Sequence, residues 1–146
     1  MSEQNTNVPA VDHIAIAVPD LAVACQQWSK LLGINLDAIA IHEVAAEKVR
    51  IGLIELANVH LELLEPLTDD SPIANFLEKN PKGGLHHLCL KTDDIDADCA
   101  RVQSLGFSTL NPEPKSTAPG VRILFLHPKS TTGVLTEMRE VKGKGY

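Results

Sequence analysis

The sequence predicts an α+β fold of two paired β-α-β-β-β modules. One observation is an internal repeat, because a segment near the start of the chain returns in its second half. Another is the alternation of apolar side chains with period two at matching places in both halves, which is typical of half-buried strands. A third is a helix start after the first strand of each half, with a glycine where the helix ends. We expect modules at residues 11–80 and 85–140 that together form one domain, between a disordered tail at 1–10 and a flexible tail at 141–146.

The repeat pairs residues that carry chemistry. His13, in Asp-His-Ile-Ala-Ile, returns as His87 in His-His-Leu-Cys-Leu. Glu62, in His-Leu-Glu-Leu, returns as Glu137 in Leu-Thr-Glu-Met. Two histidines and two glutamates therefore occupy matching places in matching halves. This arrangement predicts a metal site across an internal pseudo-twofold, with the curved sheet of the two modules around the ion.

The first module begins with a strand at residues 13–18, in which isoleucine and valine alternate with small residues and a histidine. Asp20 is a suitable N-cap for the helix that follows, and Gly33 is expected to end that helix. Three further strands are expected at residues 36–44, 49–56 and 59–65. Ser71, followed by proline, then predicts the start of a second helix.

The second module repeats this order after a glycine-rich connector. A strand at residues 87–92 precedes a helix at 95–105 that ends at Gly106. Further strands are expected at residues 107–111, 121–127 and 133–139. The segment 115–120 is expected to be a mobile loop.

The composition excludes several classes of protein. A formal net charge of −6 argues against nucleic-acid binding, which depends on clustered lysine and arginine. No apolar run approaches the roughly 18 residues of a membrane span, and the start of the chain lacks a signal-peptide pattern. Three cysteines without Cys-x-x-Cys spacing do not suggest a disulfide framework. We expect a reduced, soluble, cytoplasmic protein.

The four repeated residues suit a divalent metal ion. Each lies on a different predicted strand, and small residues such as Ala15 and Cys89 stand beside the histidines. A carboxylate in the middle of an apolar strand is costly to bury unless it is paired or bound to a metal. Two imidazoles and two carboxylates form a mixed nitrogen and oxygen set that leaves room for water or substrate. A structural zinc site is not expected, because no thiolate is aligned with the set.

The remaining histidines are expected to play lesser parts. His86 has the opposite strand parity to His87 and should point away from the metal. His127 is expected to make a turn contact, and His42 to be exposed. His60 shares its strand face with Glu62 and could act near the site.

Several segments resemble a known family. The paired modules with their repeated His and Glu resemble the vicinal oxygen chelate superfamily, which has the glyoxalase fold. Within it, the chain is similar to the methylmalonyl-CoA epimerases over about residues 11–140. The segments that carry this similarity are Asp-His-Ile-Ala-Ile-Ala-Val, Glu-Leu-Leu-Glu-Pro-Leu, Asp-Ser-Pro-Ile-Ala and Gly-Gly-Leu-His-His.

The resemblance implies a function and a ligand set. It implies a homodimeric isomerase that interconverts (2R)- and (2S)-methylmalonyl-CoA with a divalent metal ion, which could be Co, Mn, Mg, Ni or Zn. The metal ligands implied are His13, Glu62, His87 and Glu137. Glyoxalase I and a small-molecule-binding resistance protein of the same superfamily remain alternatives.

The resemblance also implies a proton-transfer pair, of which one member is missing here. Glu137 is expected to act at carbon. Some relatives carry a second acid–base glutamate in the third strand, where this chain has Ile51. The open candidates for that role are His60, Glu43, Glu47 and an ordered water molecule. The phosphates of coenzyme A would need local positive charge, for which the candidates are Lys115, Arg122 and Lys129.

Overall fold

The computed structural model describes residues 8–142. The chain divides into two compact units, of which the first is residues 13–86 and the second combines residues 87–142 with the short N-terminal segment from residue 8 to residue 12. Among the described residues, no helix is both long and apolar enough to cross a bilayer. Each unit contains the predicted β-α-β-β-β order, which confirms the α+β fold.

The sheet of the first unit has the strand order β2-β3-β4-β1. Its strands are β1 (Ala10–Ala17, with residues 13–17 in this unit), β2 (Ala40–Val44), β3 (Val49–Glu55) and β4 (His60–Pro66). β1 pairs with β4 in parallel, whereas β3 is antiparallel to both β2 and β4. Short 3-10 helices precede and follow β2, at Leu36–Ala38 and Ala45–Glu47.

Local sequence sets the ends of the helices in this unit. α1 (Leu21–Leu32) begins after Asp20, whose Oδ1 accepts a hydrogen bond from the Val23 N–H at 3.2 Å. It ends at Gly33, which adopts a left-handed φ of 67° that glycine tolerates without strain. α2 (Pro72–Lys79) begins after Ser71, whose hydroxyl caps the Ile73 N–H. The predicted caps are therefore confirmed.

The two helices cover opposite faces of the first sheet. α1 packs against the face that carries Ile54, Leu61 and Leu63. α2 packs against the other face, near Ile51 and Leu64, through apolar side chains that include Ile73. Because Glu62 is two residues before Leu64 on the same strand, it belongs to this second face, which we call the Glu62 face. The site residues of this unit therefore share a face with part of the core.

The core of the first unit should respond strongly to truncation. Leu63 is fully buried, so Leu63→Ala should lower the free energy of unfolding by about 2–5 kcal/mol through lost burial and the cavity left behind. Leu31→Ala is the matched control, because Leu31 is 72% exposed and its loss should cost less than about 0.5 kcal/mol. Urea denaturation of both variants measures the difference. Equal destabilisation would contradict this description of the core.

The sheet of the second unit repeats the arrangement with the order β5-β8-β7-β6. Its strands are β5 (Gly84–Lys91, with residues 87–91 in this unit), β6 (Lys115–Ala118), β7 (Val121–Leu126) and β8 (Thr136–Val141). α3 (Ile95–Ser104) packs against one face through Leu124, Leu126 and Met138. The opposite face carries Glu137, and we call it the Glu137 face.

The second unit differs from expectation in its third element. The strand predicted at residues 107–111 is reduced to one isolated bridge between Thr109 and Leu126. The predicted loop at 115–120 instead contains β6. Pro112 and Pro114 explain the difference, because proline has no N–H for a ladder and delays the strand until after the second proline.

The strand ends also differ from expectation. β8 starts later than predicted and continues through Val141, and β1 already begins at Ala10. Residues 1–7 and 143–146 of the two predicted tails lie outside the described residues.

Candidate functional site

A histidine and a glutamate meet on the Glu62 face of the first unit. His13 Nδ1 lies 3.2 Å from Glu62 Oε2, and only 4% and 7% of their side-chain surfaces are exposed. Ala15 is the register partner of Glu62 and is fully buried, so a small side chain stands beside the carboxylate. Leu53 is the partner on the other side. The pair is thus a polar group enclosed by apolar neighbours.

The second unit holds a matching pair on its Glu137 face. His87 Nε2 lies 3.1 Å from Glu137 Oε1, with side-chain exposures of 7% and 8%. Cys89 is the register partner of Glu137 and is fully buried. On the other side, Phe125 meets the His87 ring edge-on, with the ring centroids 5.4 Å apart. Each unit therefore contributes one buried imidazole beside one buried carboxylate.

The two pairs suit a metal ion in chemical terms. Buried carboxylates are stable only when paired, hydrogen-bonded or bound to a cation. Imidazole nitrogen and carboxylate oxygen are ligands that borderline and hard divalent ions accept. Each pair by itself therefore offers the donor types that such an ion accepts.

The thiols behave as small apolar groups. Burial raises the pKa of Cys25 and of Cys99, so both are poor nucleophiles near neutral pH. Cys89 is also buried, and its Sγ lies 3.9 Å from the Leu90 carbonyl oxygen.

Strands β4 and β8 each carry a second glutamate, which accepts a hydrogen bond from the start of a helix. Three residues after Glu62, Glu65 accepts a hydrogen bond from the Leu21 N–H at 2.7 Å. Three residues after Glu137, Glu140 accepts one from the Ile95 N–H at 2.9 Å. A spacing of three places each second glutamate on the opposite strand face. Each helix start is therefore attached to the strand that carries the candidate ligand.

The candidates for a second acid–base group lie on different faces. Glu43 is the register partner of Arg50 and accepts its hydrogen bonds at 3.0 and 3.2 Å, on the face opposite Glu62. Ile51 lies on the Glu62 face and is buried. His60 lies on this face too, two residues before Glu62, and its Nδ1 is shielded from solvent. Glu47 ends a 3-10 helix, with its Oε1 shielded.

The other histidines follow their strand parity. His42 is exposed, as expected, and is the register partner of Ile51 on the Glu62 face. His86 packs edge-on against Phe76 of α2, with ring centroids 5.2 Å apart. His127 Nδ1 accepts a hydrogen bond from the Lys129 N–H, which is the turn contact expected of it.

The three candidates for binding the coenzyme A phosphates lie in three different places. Arg122 lies on the face opposite Glu137 and donates hydrogen bonds of 2.6 and 2.8 Å to Asp96, which hold the pKa of Asp96 below its usual value. Lys129 is exposed in the turn after β7. Lys115 is exposed on β6 and is the register partner of Ile123, so it belongs to the Glu137 face.

Two cations on this face were missed by sequence reasoning. Arg139 is two residues after Glu137, and its guanidinium lies 3.5 Å from Asp12, with side-chain exposures of 11% and 4%. Lys91 is its register partner on β5 and is exposed. The sequence could have indicated both cations, because residues two or four apart on a strand share a face, and Arg139 and Lys91 have these spacings from Glu137 and His87.

Comparisons with known proteins identify the family to which the chain belongs. The profile of the Glyoxalase/Bleomycin resistance protein/Dioxygenase superfamily matches residues 12–125. An ethylmalonyl-CoA/methylmalonyl-CoA epimerase of Cereibacter sphaeroides is 44% identical over 132 residues, which cover 90% of this chain and 97% of that protein.

Solved structures agree as well. A methylmalonyl-CoA epimerase from Mycobacterium tuberculosis is 30% identical with a TM-score of 0.87, and covers 98% of this chain and 95% of its own. A methylmalonyl-CoA epimerase in complex with methylmalonyl-CoA and NH4+ is 33% identical with a TM-score of 0.80, covering 90% and 94%. The chain therefore belongs to the glyoxalase superfamily and, within it, to the methylmalonyl-CoA epimerase family of isomerases.

Proposed function

We propose that this epimerase interconverts (2R)- and (2S)-methylmalonyl-CoA by removing and returning the proton on the carbon between carboxylate and thioester. The observation that carries the proposal is the buried imidazole–carboxylate pair that recurs in both units of a chain of this family. That carbon is weakly acidic, so the reaction needs a base, an acid and stabilisation of the enolate oxygen.

We propose that one divalent ion, Co, Mn, Mg, Ni or Zn, is held by two imidazoles and two carboxylates. The ligands are His13, Glu62, His87 and Glu137. A bound divalent ion supplies Lewis-acid stabilisation of negative charge on the substrate oxygens. The support is the burial of both pairs, because a buried carboxylate is stable only when it is paired, hydrogen-bonded or bound to a cation.

Glu137 is the proposed base at carbon. It is 6% exposed, and Phe125 beside it contributes an apolar wall. A carboxylate has two oxygens, so it can hold a cation with one and exchange a proton with the other. Exclusion of water from such a site strengthens its electrostatic interactions.

His60 is the proposed group for the opposite face of the carbon. It lies about 7 Å along the strand from Glu62, on the same face, and an imidazole nitrogen can accept or donate a proton. Ile51 cannot transfer a proton, and Glu43 is held by Arg50 on the other face. His60 is therefore better placed than Glu43.

Deuterium exchange can test His60. His60→Ala should slow epimerisation by about 100-fold while one enantiomer still exchanges its α-proton with deuterated water, because one proton-transfer group remains. Glu43→Gln is the control and should epimerise at the wild-type rate. Full-rate epimerisation by His60→Ala would exclude His60 and leave Glu47 or an ordered water as the candidates.

Substrate identity is tested by incubating the metal-loaded protein with methylmalonyl-CoA or with the glutathione hemithioacetal of methylglyoxal, each followed by NMR. We expect turnover of the first. Turnover of the hemithioacetal alone would indicate glyoxalase I, and turnover of neither would indicate a small-molecule-binding protein.

We also propose that the protein is a cytoplasmic homodimer. A monomer mass measured by light scattering at all concentrations would contradict the dimer.

A further inference from the structure

The row of side chains that contains Glu137 continues towards the edge of its sheet as apolar residues. Register pairs Cys89 with Glu137 and Glu137 with Phe125. Beyond Phe125, the Leu110 N–H donates a 2.8 Å hydrogen bond to the Phe125 carbonyl oxygen. Leu110 therefore takes the edge position of the row, which β6 does not reach because its pairing with β7 begins at Lys115. We call these four residues, from Cys89 to Leu110, the Glu137 row.

The Leu110 side chain belongs to the Glu137 face. Its neighbour Thr109 forms the isolated bridge to β7 and accepts a hydrogen bond from Gln103 of α3 at 3.1 Å, so Thr109 faces that helix. Successive side chains of an extended segment alternate between the two faces of a sheet. Leu110 therefore lies on the same face as Phe125 and Glu137.

Exposure rises along the Glu137 row from the centre of the sheet to its edge. Cys89 is fully buried and Glu137 is 6% exposed, whereas Phe125 is half-buried and Leu110 is 51% exposed. A molecule bound beside Glu137 can therefore contact the apolar side chains on the Phe125 side, whereas the buried thiol on the other side is out of its reach.

The first unit has smaller side chains in the same places. Its corresponding row consists of Ala15, Glu62, Leu53 and Ala40. A leucine thus occupies the place of Phe125, and an alanine occupies the place of Leu110. The larger apolar surface lies beside Glu137, which is the glutamate that we propose as the base.

The reacting carbon of the proposed substrate carries one apolar group. It bears a carboxylate, a thioester carbonyl, the exchanging proton and an alkyl group. A base must lie within about 3 Å of the atom that carries the proton, so the alkyl group is also held close to the base. Carboxylate and carbonyl oxygens lose hydrogen bonds to water against an apolar surface, whereas an alkyl group gains from burial there. Among these groups, the alkyl group fits the apolar part of the Glu137 row.

We propose that Phe125 and Leu110 bind the alkyl substituent on the reacting carbon and so determine which substituted malonyl thioesters the enzyme prefers. This inference rests on the proposed function, because it assigns one part of the same substrate. A methyl group contacts Phe125, which is the register partner of Glu137. Leu110 lies two strands from Glu137, about 10 Å between Cα atoms at standard strand spacing, so a longer alkyl chain extends towards Leu110.

The test measures α-proton exchange in malonyl-CoA, methylmalonyl-CoA and n-propylmalonyl-CoA. Exchange with deuterated water, followed by NMR and corrected for the uncatalysed rate, applies to all three because it needs no stereocentre. Leu110→Ala should lower the ratio of kcat/KM for n-propylmalonyl-CoA to kcat/KM for malonyl-CoA about tenfold, because each buried methylene group is worth about fourfold. Leu110→Met should restore most of the ratio. The intrinsic acidities of the substrates cancel when the variant is compared with the wild type.

Leu105→Ala is the matched control for Leu110→Ala. Leu105 is 65% exposed and stands at the end of α3, outside the Glu137 row, so its loss should leave the ratio at the wild-type value. A wild-type ratio in Leu110→Ala, or an equal fall in both variants, would overturn the inference. The proposed function would still stand in either case, because it depends on turnover by the wild type.

A binding measurement decides the inference if the wild type exchanges the proton of none of the three thioesters. The proposed function would then have failed, and calorimetry would compare the affinities for n-propylmalonyl-CoA and malonyl-CoA. A ratio of affinities that falls in Leu110→Ala supports the binding of the alkyl group by the Glu137 row. An unchanged ratio, or no binding by the wild type, contradicts it.

Discussion

Glu137→Gln should slow epimerisation of methylmalonyl-CoA by about three orders of magnitude, since a general base contributes about 10²–10⁴-fold. The amide keeps the size of the side chain and an oxygen that can bind a cation, but it cannot accept the α-proton. The measurement is the rate of interconversion of the enantiomers by NMR in metal-loaded protein. Metal content of the variant should be measured alongside, so that loss of the base is distinguished from loss of the ion.

Glu140→Gln is the matched control for this variant. It changes another buried glutamate on the same strand, three residues away and on the opposite face, where it accepts the Ile95 N–H. Its amide oxygen can still accept that bond, so turnover should remain close to wild type. A normal rate in Glu137→Gln, or equal losses in both variants, would show that Glu137 is not the principal base.

His87→Ala should abolish stoichiometric metal binding. The imidazole lies 3.1 Å from Glu137 in a side-chain environment only 7% exposed, and its removal deletes one of the four proposed ligands. With one ligand fewer, the remaining side chains should bind the ion more weakly. Elemental analysis after gel filtration measures the metal content. Thermal unfolding with added Co²⁺ gives a second measurement, because a ligand that binds the native state raises Tm.

His86→Ala provides the comparison within the same His-His pair. His86 packs against Phe76 and has the opposite strand parity, so its removal should leave metal content unchanged. Wild-type metal content in His87→Ala would contradict the proposed ligand set. Loss of metal from both variants would indicate that damage to β5, rather than loss of a ligand, is responsible.

Much of the fold could be predicted because its signals are local. Asp20 and Ser71 cap helices where expected, and Gly33 takes the left-handed conformation that ends α1. The alternation that places Leu61 and Leu63 against α1 also places Glu62 on the other face. Such features depend on a residue and its near neighbours in the chain, so one sequence contains them.

The strand expected at 107–111 is one isolated bridge, and β6 forms after Pro114 instead, which the two prolines in the sequence could have indicated. Other features could not be predicted, because they depend on register between distant segments. Arg122 was a reasonable phosphate candidate, but the register of β7 with β8 places it on the face opposite Glu137, where it binds Asp96.

The sequence by itself determined that this protein has two repeated modules, that one histidine and one glutamate recur in each, and that the segments around them resemble epimerases. Only the tertiary structure decided that each histidine lies beside the glutamate of its own unit. It also decided that Phe125 and Leu110 share one row with Glu137. The physical reason is that periodicity assigns a side chain to a face, whereas hydrogen bonding between strands selects which residue of a neighbouring strand stands beside it.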